Sequence, residues 1–558
     1  MAHSDKRTLR SSCGLEGEDN GMMIKIYSLL HRIGKRVALS DEGDRPQNHH
    51  ESFSFSVITS LSISRFFSSH MVLQQGVPLT VWGQSPPFET IQVTLADAEV
   101  SACADSAGDW EAVLPPQGAG GPHILRVRSA SGSLDFEDVW IGEVWLLAGQ
   151  SNIEWTASQF PDASADAADA HAPMVRHFTL ATHRGPEASN DIRGTWRVMS
   201  PESAPAFSAI GMYFAKFWGE RQSVALGLVV SALGDTSAEM WLSRSAMVAD
   251  PVLRPTVEEF DAQLARHTNE LATAAEPTLD FLRRYAPCCL FNGMIHPLAR
   301  CRFRGVIWYQ GESNGRRAST YHRLLTHLIS EWRSLFKSSE LPVIVIQLPR
   351  FREVEAVAQV SMWADLREAQ AQAVSELPSA WLVSCIDLGD PIDIHPPNKK
   401  EYARRALACV NANVYQQQVP WCGPSPQDWY IEEGIVRLAF DCHGRGLDLR
   451  QPPLGSGFTL AGADGVFFAA HARLDEATVL VWHESVNQPA TLRYAWADNP
   501  PVTLFDQDGW PTAPFRCDHL KLPPTCIEPK THLSSNGLDY LTMRKKLAPC
   551  FRGCMTGS

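Results

Sequence analysis

A serine in Gly149-Gln150-Ser151-Asn152, a histidine in Asp393-Ile394-His395-Pro396 and the run Gln310-Gly311-Glu312-Ser313-Asn314 are residue types suited to acyl transfer. Hydrolysis of an ester by a serine needs the nucleophile, an imidazole base, an acid that orients the base, and donors for the oxyanion. Ser151 fits the first role. His395 fits the second, because it follows an apolar stretch and has Asp393 two residues before it and Asp390 five before it. The amides of Ser151 and Gly234, with a side-chain amide at Gln310 or Asn314, fit the oxyanion. Glycine lets the backbone come close to a substrate, and one lost donor is worth about 10²–10³ in rate. Blander readings stand beside these: a Ser-Asn pair often only caps a helix, a His-Pro pair often lies in a loop, and 310–314 holds ordinary turn residues.

Each of these clusters must be placed by the element before it. Residues 144–148 form an apolar strand that ends at Gly149, with a helix beginning near Ser151. Residues 224–231 read as a second buried strand, ending in Leu233-Gly234-Asp235-Thr236, and 304–309 as a third, ending at Gln310. Further strands are expected at 342–348 and 380–386, the latter leading to His395. Between them lie helical patterns at 210–220, at 321–335 with Tyr321, Leu324, Leu325, Leu328, Trp332 and Leu335 on one stripe, and at 362–375. Strands that are apolar throughout suit a parallel sheet covered on both faces. Alternating strand and helix implies a doubly wound α/β sheet, whose sites gather at the carboxyl ends of its strands.

The flanks read differently. Residues 71–139 carry short alternating segments such as LTVWG, TIQVTLA and HILRVRS, expected to form an antiparallel β-sandwich, and 434–514 return to that spacing. Residues 157–206 read as loop with short helices. A surface helix over 256–271 has capping-box spacing at Thr256 and Glu259. The expected divisions are a leader at 1–68, an N-terminal β domain at 69–140, a catalytic α/β domain at 141–415 with a helical insertion near 243–285, a C-terminal β domain at 416–519 and a tail at 520–558.

At 558 residues, 44% hydrophobic and 20% charged, the chain suits several globular domains. The net charge of -13, without a dense Lys/Arg block, argues against a nucleic-acid partner. No apolar run reaches spanning length. The 13 cysteines match no zinc spacing, and scattered buried thiols are favoured over a few disulfides; no cofactor is expected. The stretch 53–67, FSFSVITSLSISRFF, lies too far in and is too rich in serine for an ordinary signal peptide. It reads either as a targeting core or as a strand entering the first domain.

The three blocks GQSN, WYQGESN and DIHP together resemble the signature blocks of the sialate O-acetylesterases. HMVLQ at 70–74, FNGMIHP at 291–297, LREAQ at 366–370 and RYAWAD at 493–498 are similar to that family too, so the likeness runs from about 69 to 518. The resemblance implies an SGNH-type hydrolase fold with accessory antiparallel β domains and no metal. It implies removal of O-acetyl groups, chiefly the 9-O ester, from sialic acids, in a lysosomal or secreted setting. It assigns Ser151 as nucleophile, His395 as base, and Gly234 with the 310–314 block to the oxyanion. The family commonly has Gly-Gly-Thr where this chain has Gly234-Asp235-Thr236, so Asp235 is expected to narrow the site or weaken oxyanion stabilisation. Many SGNH enzymes place the acid three residues before the histidine, which here is Ile392. Asp393 is therefore the first choice of acid, with Asp390, Glu312 or a backbone carbonyl as alternatives. Two other functions remain open: deacetylation of another saccharide such as xylan, and sugar binding without catalysis.

Overall fold

The computed structural model describes residues 58–220, 222–269, 283–450 and 455–518. The centre is a sheet of strands β1 (Gly132–Gly149), β2 (Ala172–Thr179), β3 (Trp196–Met199), β4 (Leu226–Ala232), β5 (Gly305–Tyr309), β6 (Val343–Ile346) and β7 (Ala380–Val383). They lie in the order β3-β2-β4-β1-β5-β6-β7. All pairings are parallel except the edge pair β2–β3. Every residue of β4, β5 and β6 is buried, as expected for a sheet covered on both faces.

The chain leaves β1 in one direction to build β2, β3 and β4, then crosses to the other side for β5, β6 and β7. The carboxyl end of β1 is thus a topological switch point, where open α/β sheets bind ligands. Register sharpens this: Ala232 and Tyr309 lie on either side of Gly149, so the three central strands end level. Gly149 has φ +140°, and a Cβ there would stand 2.0 Å from the Tyr309 carbonyl oxygen. Only glycine permits that approach.

Around the sheet lie helices α1 (Ser151–Glu154), α2 (Ala209–Gly219), α3 (Arg254–Asn269), α4 (Ala318–Leu335), α5 (Met362–Ser375) and α6 (Lys399–Asn413). Helix α6 packs on α2, and α4 on α5. Tyr321, Leu324, Leu325, Leu328 and Trp332 are buried along α4. Two sequence expectations need correction. The span 157–206 holds β2 and β3, whose short runs interrupted by Arg and His hide the strand pattern. Helix α3 starts at Arg254, so Thr256 lies inside its first turn, and Asp250 Oδ1 accepts from the preceding Val252 amide at 2.7 Å. Leu271, the last residue of that expected stripe, is outside the described residues.

The first part of β1 pairs antiparallel with Gly120–Ser129, so one 18-residue strand serves both the N-terminal β region and the central sheet. Of the 53–67 stretch, Ser62–Ile63 forms a strand on Leu79–Gln84, and Phe66 and Phe67 pack against Trp82. The C-terminal region has two four-stranded antiparallel sheets around a core of its own. Arg367 of α5, fully buried, joins it to the α/β part: its guanidinium donates to the carbonyls of Leu348, Pro349, Ala497 and Asp498. No disulfide joins any two of the nine described cysteines to each other, and most of them are buried. Among the described residues no helix is long and apolar enough to cross a membrane.

Candidate active site

Ser151 is the first residue of α1, directly beyond β1. Its hydroxyl does not cap the helix; Oγ lies 2.9 Å from His395 Nε2. The residue is 6% exposed, dry enough to strengthen electrostatics. Gln150, at the N-cap, makes no side-chain cap hydrogen bond, so the Ser151 amide begins the turn without one.

His395 reaches this point from β7, two strands beyond β5, on a loop held by side-chain-to-backbone bonds. Arg405 of α6 grips Asp387 with two hydrogen bonds at 2.6 and 2.7 Å. Asp390 Oδ1 accepts the amides of Ile392 and Asp393, and Asp393 Oδ1 accepts the His395 amide at 2.8 Å. The same Asp393 oxygen stands 3.3 Å from His395 Nδ1. Asp390 is thus a loop organiser, and Glu312 bonds Asn152 instead; of the three acids, Asp393 is the one at the imidazole. Ile392, where the acid of many SGNH enzymes would stand, is 89% exposed. Trp155 stacks on the imidazole, centroids 3.8 Å apart and planes 17° from parallel. Burial lowers the His395 pKa below its ordinary 6.5, Asp393 opposes that shift, and the Lys399 charge adds to it. The imidazole is therefore neutral, and able to accept a proton, at neutral pH.

Gly234 follows β4 and packs on Ser151: a Cβ there would stand 3.3 Å from Ser151 Cβ. Its amide is already engaged, donating to Glu154 Oε2 at 2.5 Å. Burial raises the Glu154 pKa, while the Gly234 amide and the Arg184 charge oppose it. Asp235 adopts φ +56°, a left-handed conformation that Asp tolerates and glycine favours. Its carboxylate is turned to Tyr285, whose hydroxyl donates to it at 2.6 Å.

The side-chain amides expected at the oxyanion are turned inward, which corrects that expectation. Gln310 is fully buried, and its Nε2 donates to the Thr236 carbonyl at 3.0 Å and to Asn314 Oδ1 at 2.8 Å. Both its protons are thereby used. Asn314, also fully buried, donates to Glu239 Oε2 at 2.9 Å and accepts the Ala238 amide at 2.9 Å. These bonds tie the loop after β5 to the Gly234 turn, so the pair shapes the site from behind.

Sequence reasoning missed Asn152, Glu154, Trp155 and Lys399. Trp155 stands four residues after Ser151, a helical-turn spacing that could have marked it. Lys399 had no local signal.

Residues 289–403 match the family model described as "Carbohydrate esterase, sialic acid-specific acetylesterase". That segment carries Gln310, Asn314, Asp393 and His395, while Ser151 precedes it. The chain is 26% identical over 422 residues to the sialate O-acetylesterase of Mus musculus, covering 67% of this chain and 78% of that protein. With the sialate O-acetylesterase of Homo sapiens it shares 24% identity over 414 residues, covering 67% and 76%. The crystal structure of a carbohydrate acetylesterase from Xanthomonas citri is similar with a TM-score of 0.73 and 31% identity, covering 82% of this chain and 99% of that one.

Proposed function

The chain belongs to the sialate O-acetylesterase family of carboxylic ester hydrolases, and we propose that it removes O-acetyl groups from sialic acids, the 9-O ester first, with Ser151 as nucleophile. The observation that carries the mechanism is the 2.9 Å contact between Ser151 Oγ and His395 Nε2, with Asp393 beside the other ring nitrogen. His395 takes the hydroxyl proton as Oγ attacks the acetyl carbonyl. The tetrahedral oxyanion is held by the amides of Ser151 and Gly234, once Glu154 releases the latter. Collapse expels the sugar alkoxide, which takes the proton from His395 and leaves an acetyl-serine. A water, deprotonated by His395, then attacks the acetyl carbonyl. Acetate leaves and Oγ regains its proton.

Asp393 holds the imidazole and stabilises its protonated form, and Trp155 fixes the ring plane. Gln310 and Asn314 act by positioning the Gly234 turn. Asp235 of that turn is engaged by the Tyr285 hydroxyl. Arg184, whose charge acts on Glu154, is a cation that suits an anionic sugar.

The test is acetate release from 9-O-acetyl sialic acid and from acetyl-xylan by the wild-type protein and Ser151→Ala. The reading expects release from the sialic acid only, lost in the variant by about 10⁴-fold or more. Turnover retained in Ser151→Ala overturns the mechanism. Release from xylan alone overturns the substrate.

A further inference from the structure

The Asn152 side chain is held between Lys399 and Glu312; burial works against the charge on each, pulling the Lys399 pKa down to about 7 and raising that of Glu312, while each favours the charged form of the other. Lys399 Nζ, in the first turn of α6, donates to Asn152 Oδ1 at 2.5 Å. Asn152 Nδ2 donates to Glu312 Oε1 at 2.5 Å and to the Ile394 carbonyl at 3.1 Å. Lys399 is 1% exposed, with its ammonium 4.7 Å above the Phe160 ring. A cation at the start of a helix faces the positive end of its dipole, so the helix does not account for Lys399. Its partners across the site do. One amide thus touches the loops that follow β1, β5 and β7. Asn152 is the neighbour of Ser151 in the chain, and Ile394 is the neighbour of His395.

The charges matter because an asparagine amide has two nearly isosteric orientations. An ammonium can only donate and a carboxylate can only accept. Between them the amide fits one way, with Oδ1 toward Lys399 and Nδ2 toward Glu312 and Ile394. Flipped, it would set N–H against ammonium and C=O against carboxylate, and the hold on the histidine loop would be lost.

We propose that Asn152 is the positioning residue that sets the Ser151–His395 separation, and that Lys399 and Glu312 are the buried pair that locks its amide in the gripping orientation. The inference rests on Ser151 and His395 acting as nucleophile and base. It has an electrostatic consequence as well. The groups facing the His395 imidazole are Ser151, Trp155, Asp393 and Lys399. Those facing Lys399 are Asn152, Glu312, Asp393 and the rings of Phe160 and Tyr402. Removing the ammonium leaves Asp393 unopposed, so protonated His395 becomes more stable and its titration moves to higher pH.

The test uses the full chain, with p-nitrophenyl acetate as a sugar-free ester and NMR titration of the His395 ring as a readout independent of turnover. Asn152→Ala is expected to lose about 10² in kcat with KM within about twofold, the signature of misplaced reacting groups. The double variant Lys399→Met/Glu312→Gln leaves no unpaired buried charge and keeps the test alive if Asn152→Ala does not fold. It is expected to lose about tenfold or more in kcat, with the acid limb of kcat/KM and the NMR titration both displaced upward by about half a pH unit or more. A kcat within twofold of wild type in both variants, a loss confined to KM, or an unmoved His395 titration overturns the proposal. A wild-type protein active on p-nitrophenyl acetate but not on sialic acid esters refutes the substrate reading alone. If it acts on neither, the esterase reading fails, and the NMR titration decides whether Lys399 governs His395.

Discussion

Glu154 is the residue whose replacement is expected to raise activity. Its carboxylate occupies the Gly234 amide at 2.5 Å, a donor that the proposed mechanism needs when negative charge develops on the acetyl oxygen. An oxyanion bonded to the same amide would approach to about 2.9 Å, leaving two anionic oxygens about 4 Å apart. At an effective dielectric near 20, two unit charges at that distance repel by about 4 kcal/mol. The mouth is partly open to water and Arg184 offsets part of the charge, so about half of that, about 2 kcal/mol or roughly 30-fold in rate, is a fair expectation. The sign with pH follows. Burial raises the Glu154 pKa, so the group is neutral below that raised value and repels the oxyanion above it. Wild-type kcat should therefore fall relative to that of Glu154→Gln as pH rises through that pKa, on top of the acid limb that His395 gives both proteins. Steady-state kcat for an acetyl ester, measured for both proteins from the acid side to above neutrality, should converge in acid and diverge by roughly 30-fold in base. A variant slower than wild type above neutrality would refute the reasoning and make Glu154 a helper of the reaction.

Three further substitutions test other parts of the site and fold. Trp155→Ala removes the ring stacked on His395 and should cost about tenfold in kcat, with the thermal unfolding midpoint nearly unchanged. Arg184→Gln should raise KM for 9-O-acetyl sialic acid about tenfold while leaving KM for p-nitrophenyl acetate alone, as a lost charge-assisted bond to the sugar carboxylate would; equal changes for both esters refute that role. Arg367→Met strips the carbonyls of Leu348, Pro349, Ala497 and Asp498 of their buried donor. A loss of about 3 kcal/mol or more is expected, read as earlier thermal unfolding, and an unchanged midpoint would refute the joint.

The central sheet was legible because its strands are apolar throughout and its helices carry clean stripes. The segment 362–375 has the same bounds in sequence and structure, and the expected strand at 304–309 differs by one residue from β5. Strands β2 and β3 escaped because Pro, Arg, His and Trp break their runs, and β3, at the edge of the sheet, has no need to be apolar on both faces. Nor could spacing reveal that 18 residues of one strand belong to two β regions. Stretches that resembled the family turned out to include joints of the fold: LREAQ contributes Arg367 and Gln370, and RYAWAD contributes two of the four carbonyls that Arg367 holds, those of Ala497 and Asp498.

The site itself divides along the same line. Whatever is set by the end of a strand could be read, since a polar residue just past an apolar run on a parallel sheet must sit at its carboxyl edge; Ser151, Gly234 and Gln310 all stand there, on three adjacent strands. What a side chain does after that depends on partners distant in the chain. Gln310 has the chemistry of an oxyanion donor, but Thr236 and Asn314 take both its protons. Gly234 has a suitable backbone, yet a carboxylate 80 residues earlier occupies its amide. His395 is brought to Ser151 by a loop whose order comes from Asp390, Asp393 and Asn152 bonding main chain. Short-range Asx bonds of that kind leave no periodicity behind. A donor count at an active site is therefore a statement about what remains after the fold has taken its share, and here that share is largest where the sequence looked most catalytic.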